Sequence, residues 1–161
     1  MGVTAADAAP GPSTDTPDVT VVIPVYNTMP YLTACLESLV GQSNGHDRLE
    51  VIAVDDGSTD GSGEELDRFA ASYPDVVTVL HQENSGGPAG PCNRGLEVAH
   101  GRFVFFLGAD DYLADDALER MVGAADRWES DVVMGKMVGV GGRGVSQLMF
   151  SRTQEDVPFP E

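Results

Sequence analysis

Four short apolar runs, at residues 19–24, 49–54, 76–80 and 103–107, alternate with stretches whose apolar residues recur at helical spacing. Runs of this length with few polar interruptions read as strands buried on both faces. Their alternation with helices predicts βαβ units, a mainly parallel sheet and helices on both sides of it, an α/β fold. The first helix opens at Thr28 and Pro30 and carries Leu32, Leu36, Leu39 and Val40. The second starts from a capping box, Ser62-x-x-Glu65, and buries Leu66, Phe69, Ala70 and Tyr73. A Gly/Pro loop at 85–91 leads into a short helix at 93–99. Asp115 caps a fourth helix with Leu118, Met121, Val122 and Ala125 at i, i+3, i+4, i+7. Residues 131–135 read as a fifth strand. Residues 1–17, rich in Ala, Pro, Thr and Asp and without a period, read as a disordered tail, and 18–161 as one domain cut short at its C-terminus.

Two of the apolar runs end abruptly in paired carboxylates, Asp55-Asp56 and Asp110-Asp111. In an open parallel sheet, ligands bind outside the carboxyl ends of the strands, so two strands delivering acids to one edge suggest a site for a metal and a polyhydroxylated ligand. Mg²⁺ and similar hard cations take one or two carboxylates together with phosphate oxygens and water. Both pairs also suit a humbler role, since Asp, Gly, Ser and Thr are the usual formers of turns and helix starts. Tyr26 follows the first strand, where an aromatic face can stack on a base, or where a tyrosine is simply half-buried. The loop Ser85–Pro91 points backbone amides toward a helix N-terminus that can face an anion, but no Gly-Lys-Ser/Thr follows it.

The net charge is −17, from 26 acidic and 9 basic residues in 161. Such a surface repels DNA, RNA and anionic lipid heads, so no nucleic-acid partner is expected. A phosphate ester could still bind if a divalent cation stood between it and the carboxylates. Cys35 and Cys92, the only cysteines, form no disulfide framework, and Cys35 falls on an apolar helix face. His46, His81 and His100 lack metal-ligand spacing and carry no assigned role, and Trp128 reads as packing on the last helix. No 18-residue window is apolar enough to span a membrane, and the N-terminus lacks the basic start and apolar region of a signal peptide. The expectation is a cytoplasmic protein, or one peripheral at the inner face of a membrane.

In chain order, Val-Val-Ile-Pro-Val-Tyr-Asn (21–27), Val-Asp-Asp-Gly-Ser-Thr-Asp (54–60), the Gly-rich loop ending Asn93-Arg94-Gly95, and Phe-Phe-Leu-Gly-Ala-Asp-Asp-Tyr-Leu (105–113) resemble the family 2 glycosyltransferases. The resemblance covers roughly 19–135 and implies the GT-A, Rossmann-like version of the fold, with a nucleotide-sugar donor, a UDP-sugar first, bound across the strand ends. It implies that Tyr26 stacks on the nucleobase and Asp56 hydrogen-bonds it. Pro24, Asn27, Asp55, Asn93, Arg94, Ala109 and Asp111 complete the donor-binding set. Asp110 matches the last acid of the family's Asp-x-Asp motif, which holds Mn²⁺ or Mg²⁺ at the diphosphate. The implied reaction inverts the anomeric centre by direct displacement, with a carboxylate base activating a hydroxyl of a glycan or cell-surface polymer acceptor.

Three positions depart from that pattern. Gly108 stands where the first acid of Asp-x-Asp would be. Cys92 replaces an Arg before Asn93, with Arg94 as a candidate substitute. No residue in 136–161, Glu155 and Asp156 included, is assigned as the base, which is expected beyond residue 161. The alternative is a nucleotide-sugar-binding module without turnover. A receiver-like signalling domain would use Lys136, the only lysine, but leaves Tyr26-Asn27 and the Gly/Pro loop unexplained.

Overall fold

The computed structural model describes residues 16–139. Four parallel strands form one sheet: β1 (Val19–Val25), β2 (Leu49–Asp55), β3 (Val77–His81) and β4 (Phe103–Phe106), in the order β3-β2-β1-β4. The helices are α1 (Leu32–Val40), α2 (Ser62–Ser72), α3 (Ala89–Leu96) and α4 (Ala117–Trp128). The α/β class and the mainly parallel sheet expected from the apolar runs are what the structure has.

The central strand β1 is buried along its length, which is why its sequence does not alternate. On one face of the sheet, Val19, Val21, Ile23 and Val25 join Leu49, Val51 and Ala53 in a core covered by α1, α2 and α4 through residues such as Leu36, Phe69 and Leu118. The other face is covered by α3. That helix lies so close that a Cβ at Gly95 would come 2.4 Å from Val22 Cγ1. Strands β2 and β3 lie to one side of β1 and β4 to the other, so the winding direction reverses between β1 and β4. A crevice is expected outside their carboxyl ends at that reversal.

Several local expectations are corrected. Helix α2 has no capping box: Ser62 lies inside the helix and is buried, its hydroxyl donating to Asp60 Oδ1 (2.7 Å) and accepting from Thr28 N–H (3.1 Å). Glu65 turns instead to Thr33 and Arg68. Asp115 does not cap α4. Its carbonyl accepts from Ser43 N–H, and the amide of Leu118 in the first turn of α4 is taken by Gln42 Oε1 at 3.0 Å. Helix α3 begins at Ala89, inside the expected loop, because Pro91 in a first turn loses no needed donor. Residues 131–135 form no strand. Val132 and Val133 pass beside the outer side of β4, lining an apolar groove of about 180 Å³ with Phe103, Phe105 and Met121, but no ladder pairs them. The tail at 1–15 and the segment 140–161 lie outside the described residues.

Candidate functional site

The crevice between the ends of β1 and β4 is a cleft of about 450 Å³. Pro24, Val25, Tyr26 and Thr28 come from the end of β1. Asp56 comes from the end of β2, and Asn84, Gly86, Gly87, Pro88 and Pro91 from the loop into α3. Gly108, Ala109 and Asp110 come from the end of β4.

The β1 and β2 side is knitted by loop-to-loop hydrogen bonds. Asn27, at a φ of 52°, donates its N–H to Ser58 Oγ (3.1 Å), and its Oδ1 accepts from Thr59 N–H (2.7 Å). Met29 N–H donates to Asp60 Oδ2 at 2.9 Å. Short polar side chains tolerate the left-handed backbone, which lets Asn27 turn the chain and tie it down at once. Gly57 makes the turn after Asp56 at φ +77°, and a Cβ there would meet Asn84 N at 3.0 Å.

The two aspartates of β2 face different surroundings. Asp55 points away from the cleft, where its carboxylate accepts from Ser58 N–H (2.9 Å) and meets His81 Nδ1 (3.0 Å). His81 in turn reaches Asp67 Oδ1 at 3.1 Å. Asp55 therefore holds a turn and a histidine, and it is not among the residues that line the cleft. Burial works to raise its pKa, but the bonds from Ser58 and His81 outweigh that and leave it below the usual carboxylate range. The imidazole of His81 is raised, first by its bond to Asp55 and then by that to Asp67. No spacing rule in the sequence shows this bridge, since its members lie on three elements.

Asp56 lies at the cleft floor with only 2% of its surface exposed. Its carboxylate accepts from Gln82 Nε2 (2.5 Å), Ser85 N–H (3.0 Å) and Ser85 Oγ (2.9 Å). Burial raises its pKa, and these donors more than offset the effect, so the group is held ionised. A carboxylate offers about four acceptor positions, so most of this one's capacity is spent on the 82–85 loop.

Tyr26 stands at the mouth, 52% exposed. Thr28 lines the same cleft, while its Oγ1 is shielded from solvent and has no hydrogen-bond partner among the described residues. Asn27 and Asp55 do not line the cleft, and neither do Asn93, Arg94 and Cys92 on α3. Asn93 and Arg94 are exposed on α3. Pro24, Tyr26, Asp56, Ala109 and Asp110 are the expected residues that the fold brings together. Thr28 and Asn84 are additions that a reading of strand ends passes over.

Past β4, the carboxylates of Asp110 and Asp111 turn back over Gly108. A Cβ at Gly108 would lie 3.1 Å from Asp110 Oδ1 and 3.1 Å from Asp111 Oδ2. A side chain there would need both carboxylates to give by a few tenths of an ångström. Beneath this loop Cys35 Sγ–H donates to Gly108 O at 3.7 Å. Its thiol is pushed up to about 12, by burial first and then by the charges of Asp111 and Asp110, and so stays protonated. Among the described residues no three carboxylate, imidazole or thiol groups converge as a self-sufficient metal site. Asp110 at the cleft, with Asp111 next to it in the chain, does fit a divalent cation whose shell is completed by phosphate and water. Among the described residues no Lys or Arg lines the cleft. No helix among the described residues is long and apolar enough to cross a membrane.

This arrangement of fold and strand ends is matched by the glycosyl transferase family 2 model over residues 20–158, and the chain belongs to that family. It is 40% identical over 139 residues to the poly(ribitol-phosphate) beta-glucosyltransferase of Bacillus spizizenii, covering 86% of this chain and 22% of that protein. It is 39% identical over 137 residues to Staphylococcus aureus TarS, a poly(ribitol-phosphate) beta-N-acetylglucosaminyltransferase, covering 85% of this chain and 24% of TarS. A TarS crystal structure in complex with UDP-GlcNAc superposes with a TM-score of 0.75 at 37% identity, over 84% of this chain and 38% of that one. A Pyrobaculum calidifontis mannosyltransferase in complex with GDP-Man and Mn²⁺ gives 0.62 at 31% identity, over 78% of this chain and 36% of that one. The chain thus spans less than a quarter of the length of either of these two curated relatives.

Proposed function

We propose that this chain carries the donor site of an inverting, metal-dependent glycosyltransferase. The enzyme takes a sugar from a UDP-sugar and passes it to a hydroxyl of a glycan or cell-surface polymer. The observation that carries the reading is the cleft at the β1–β4 reversal, which has an exposed aromatic ring, two strand-end carboxylates and, among the described residues, no cationic side chain. A nucleoside diphosphate can enter such a cleft only with a cation to offset the like charges. The UDP-GlcNAc and GDP-Man/Mn²⁺ complexes of the structural neighbours support the ligand class, and the poly(ribitol-phosphate) named in both curated relatives supports a polymer acceptor.

In this reading Tyr26 stacks on the base. Asp56 accepts from it with its remaining lone pair while fixing the 82–85 loop. Pro24, Thr28 and Ala109 shape the walls. Asp110, with Asp111 beside it, would hold Mn²⁺ or Mg²⁺. When bound, the ion supplies Lewis-acid stabilisation of the charge developing on the departing UDP. The base that deprotonates the acceptor is assigned to no described residue. A cytoplasmic protein, or one peripheral at the inner face of a membrane, fits this donor chemistry. Gly108, in place of the motif's first acid, favours a second reading: a binding module without turnover.

Calorimetric titration with UDP-, GDP- and TDP-sugars, with and without Mn²⁺, tests the proposal. Binding of one UDP-sugar that strengthens with Mn²⁺ is expected, and equal affinity for all three bases would count against recognition by Tyr26 and Asp56. Binding without transfer by the full-length protein would favour the second reading.

A further inference from the structure

Helix α1 is apolar where it meets the sheet, yet it carries Cys35, Ser38 and, just past its end, Gln42, three and four residues apart. All three reach the segment that bears Asp110. Cys35 Sγ–H donates to Gly108 O, and Ser38 Oγ accepts from Leu113 N–H at 3.1 Å. Gln42 Nε2 donates to Ala114 O at 2.7 Å and to its own Ser38 O at 3.0 Å, while its Oε1 accepts from Leu118 N–H at 3.0 Å.

Gln42 is 6% exposed, and both ends of its amide are in use. The opposite amide orientation would set NH₂ against an N–H and oxygen against two carbonyls, so the network itself decides which atom is which. It also does the work of a helix N-cap for α4 from another element, since Asp116 at the cap position makes no side-chain bond. Ser43 adds its N–H to Asp115 O at 2.8 Å.

Between Leu107, the last residue bonded to β1, and Ala117, the first of α4, every hydrogen bond among the described residues to an element other than α4 goes to α1 or to Gln42 and Ser43 just beyond it. The acidic loop is thus hung from α1, not from the sheet that delivers it.

We infer that Gln42, supported by Ser38, is a positioning residue for Asp110: it sets where that carboxylate stands at the cleft, and metal-dependent donor binding depends on it without its touching donor or metal. This rests on the nucleotide-sugar reading of the cleft. A side chain that only stabilised the fold would weaken all binding alike. A positioning residue affects the metal-dependent part.

The test is titration of UDP with Mn²⁺ and with EDTA into the wild type, Gln42→Glu and Ser38→Ala. Gln42→Glu keeps the shape and the acceptor for Leu118 N–H but turns the group facing Ala114 O and Ser38 O from donor to acceptor. The gain in UDP affinity on adding Mn²⁺ should fall about tenfold in Gln42→Glu, as for other outer-shell supports of a metal site. It should fall by a smaller factor in Ser38→Ala, with the EDTA affinity of both unchanged. Amide exchange at Asp111 and Leu113 should quicken in both. If Gln42→Glu does not fold, Ser38→Ala carries the test. An unchanged Mn²⁺ gain despite faster exchange would overturn the inference, as would parallel losses with and without metal. A wild type showing no Mn²⁺ gain would instead overturn the reading of the cleft on which the inference stands.

Discussion

Strands β2 and β4 both end in adjacent aspartates, but their surroundings differ. Asp55 and Asp56 are buried and nearly saturated: Ser58 and His81 occupy one, Gln82 and Ser85 the other. Asp110 and Asp111 are exposed, and their carboxylates accept no hydrogen bond among the described residues. The first pair builds the cleft, and the second has its acceptor capacity free for something that enters it. On the proposed reading, what separates a structural from a ligand-binding carboxylate is not its position at a strand end but whether loop donors have already filled it.

That contrast can be broken first at Asp56. Asp56→Ala leaves Gln82 and the Ser85 amide without their acceptor, so stability should drop by about 1–3 kcal/mol. Nucleotide affinity should weaken with or without metal. Chemical denaturation alongside UDP titration checks both, and a fully stable variant would mean the 82–85 loop is held by something else. Asp110→Asn should do the reverse. Stability should stay within about 0.5 kcal/mol of wild type, as for an exposed substitution, while the Mn²⁺-dependent part of UDP affinity falls on the order of tenfold, as expected for losing a charge-assisted contact. Unfolding of this variant would put Asp110 in the same class as Asp56.

The smallest effect belongs to His81. Its pKa is raised in the folded state, so protonated His81 contributes stability that is complete below the unfolded value and is lost as pH rises through the folded one. Because the ring is half-exposed, the increment should be below about 1 kcal/mol. Denaturation of wild type and His81→Gln between pH 6 and pH 9 should show the two converging as pH rises. A gap that widens toward high pH would contradict the bridge to Asp55 and Asp67.

Much of this was legible in the sequence wherever a residue's role is set by its own element. The apolar runs of β1, β2 and β4 place Tyr26 and Asp110 at the cleft because a strand end leaves little choice of position. Roles set by partners far along the chain were not legible. Asn27 and Asp55 were expected at the donor, yet the same small polar side chains that suit a ligand also satisfy loop amides such as Thr59 N–H and Ser58 N–H. Asn93 and Arg94 sit on the exposed side of α3, which starts four residues earlier than the Gly/Pro composition suggested. Residues 131–135 have strand-like composition but no ladder partner, and a strand exists only as one of a pair. Gln42 gives no signal in the sequence because its partners, Ala114 and Leu118, lie more than seventy residues away.

The most direct test of the two-pair account is paramagnetic broadening of backbone amide signals when Mn²⁺ and UDP are added together to the isotope-labelled chain. The account predicts that signals of Gly108, Ala109, Asp110 and Asp111 vanish first, while those of Asp55, Asp67 and His81 persist. Broadening centred on Asp55, or spread evenly over the acidic surface, would contradict it.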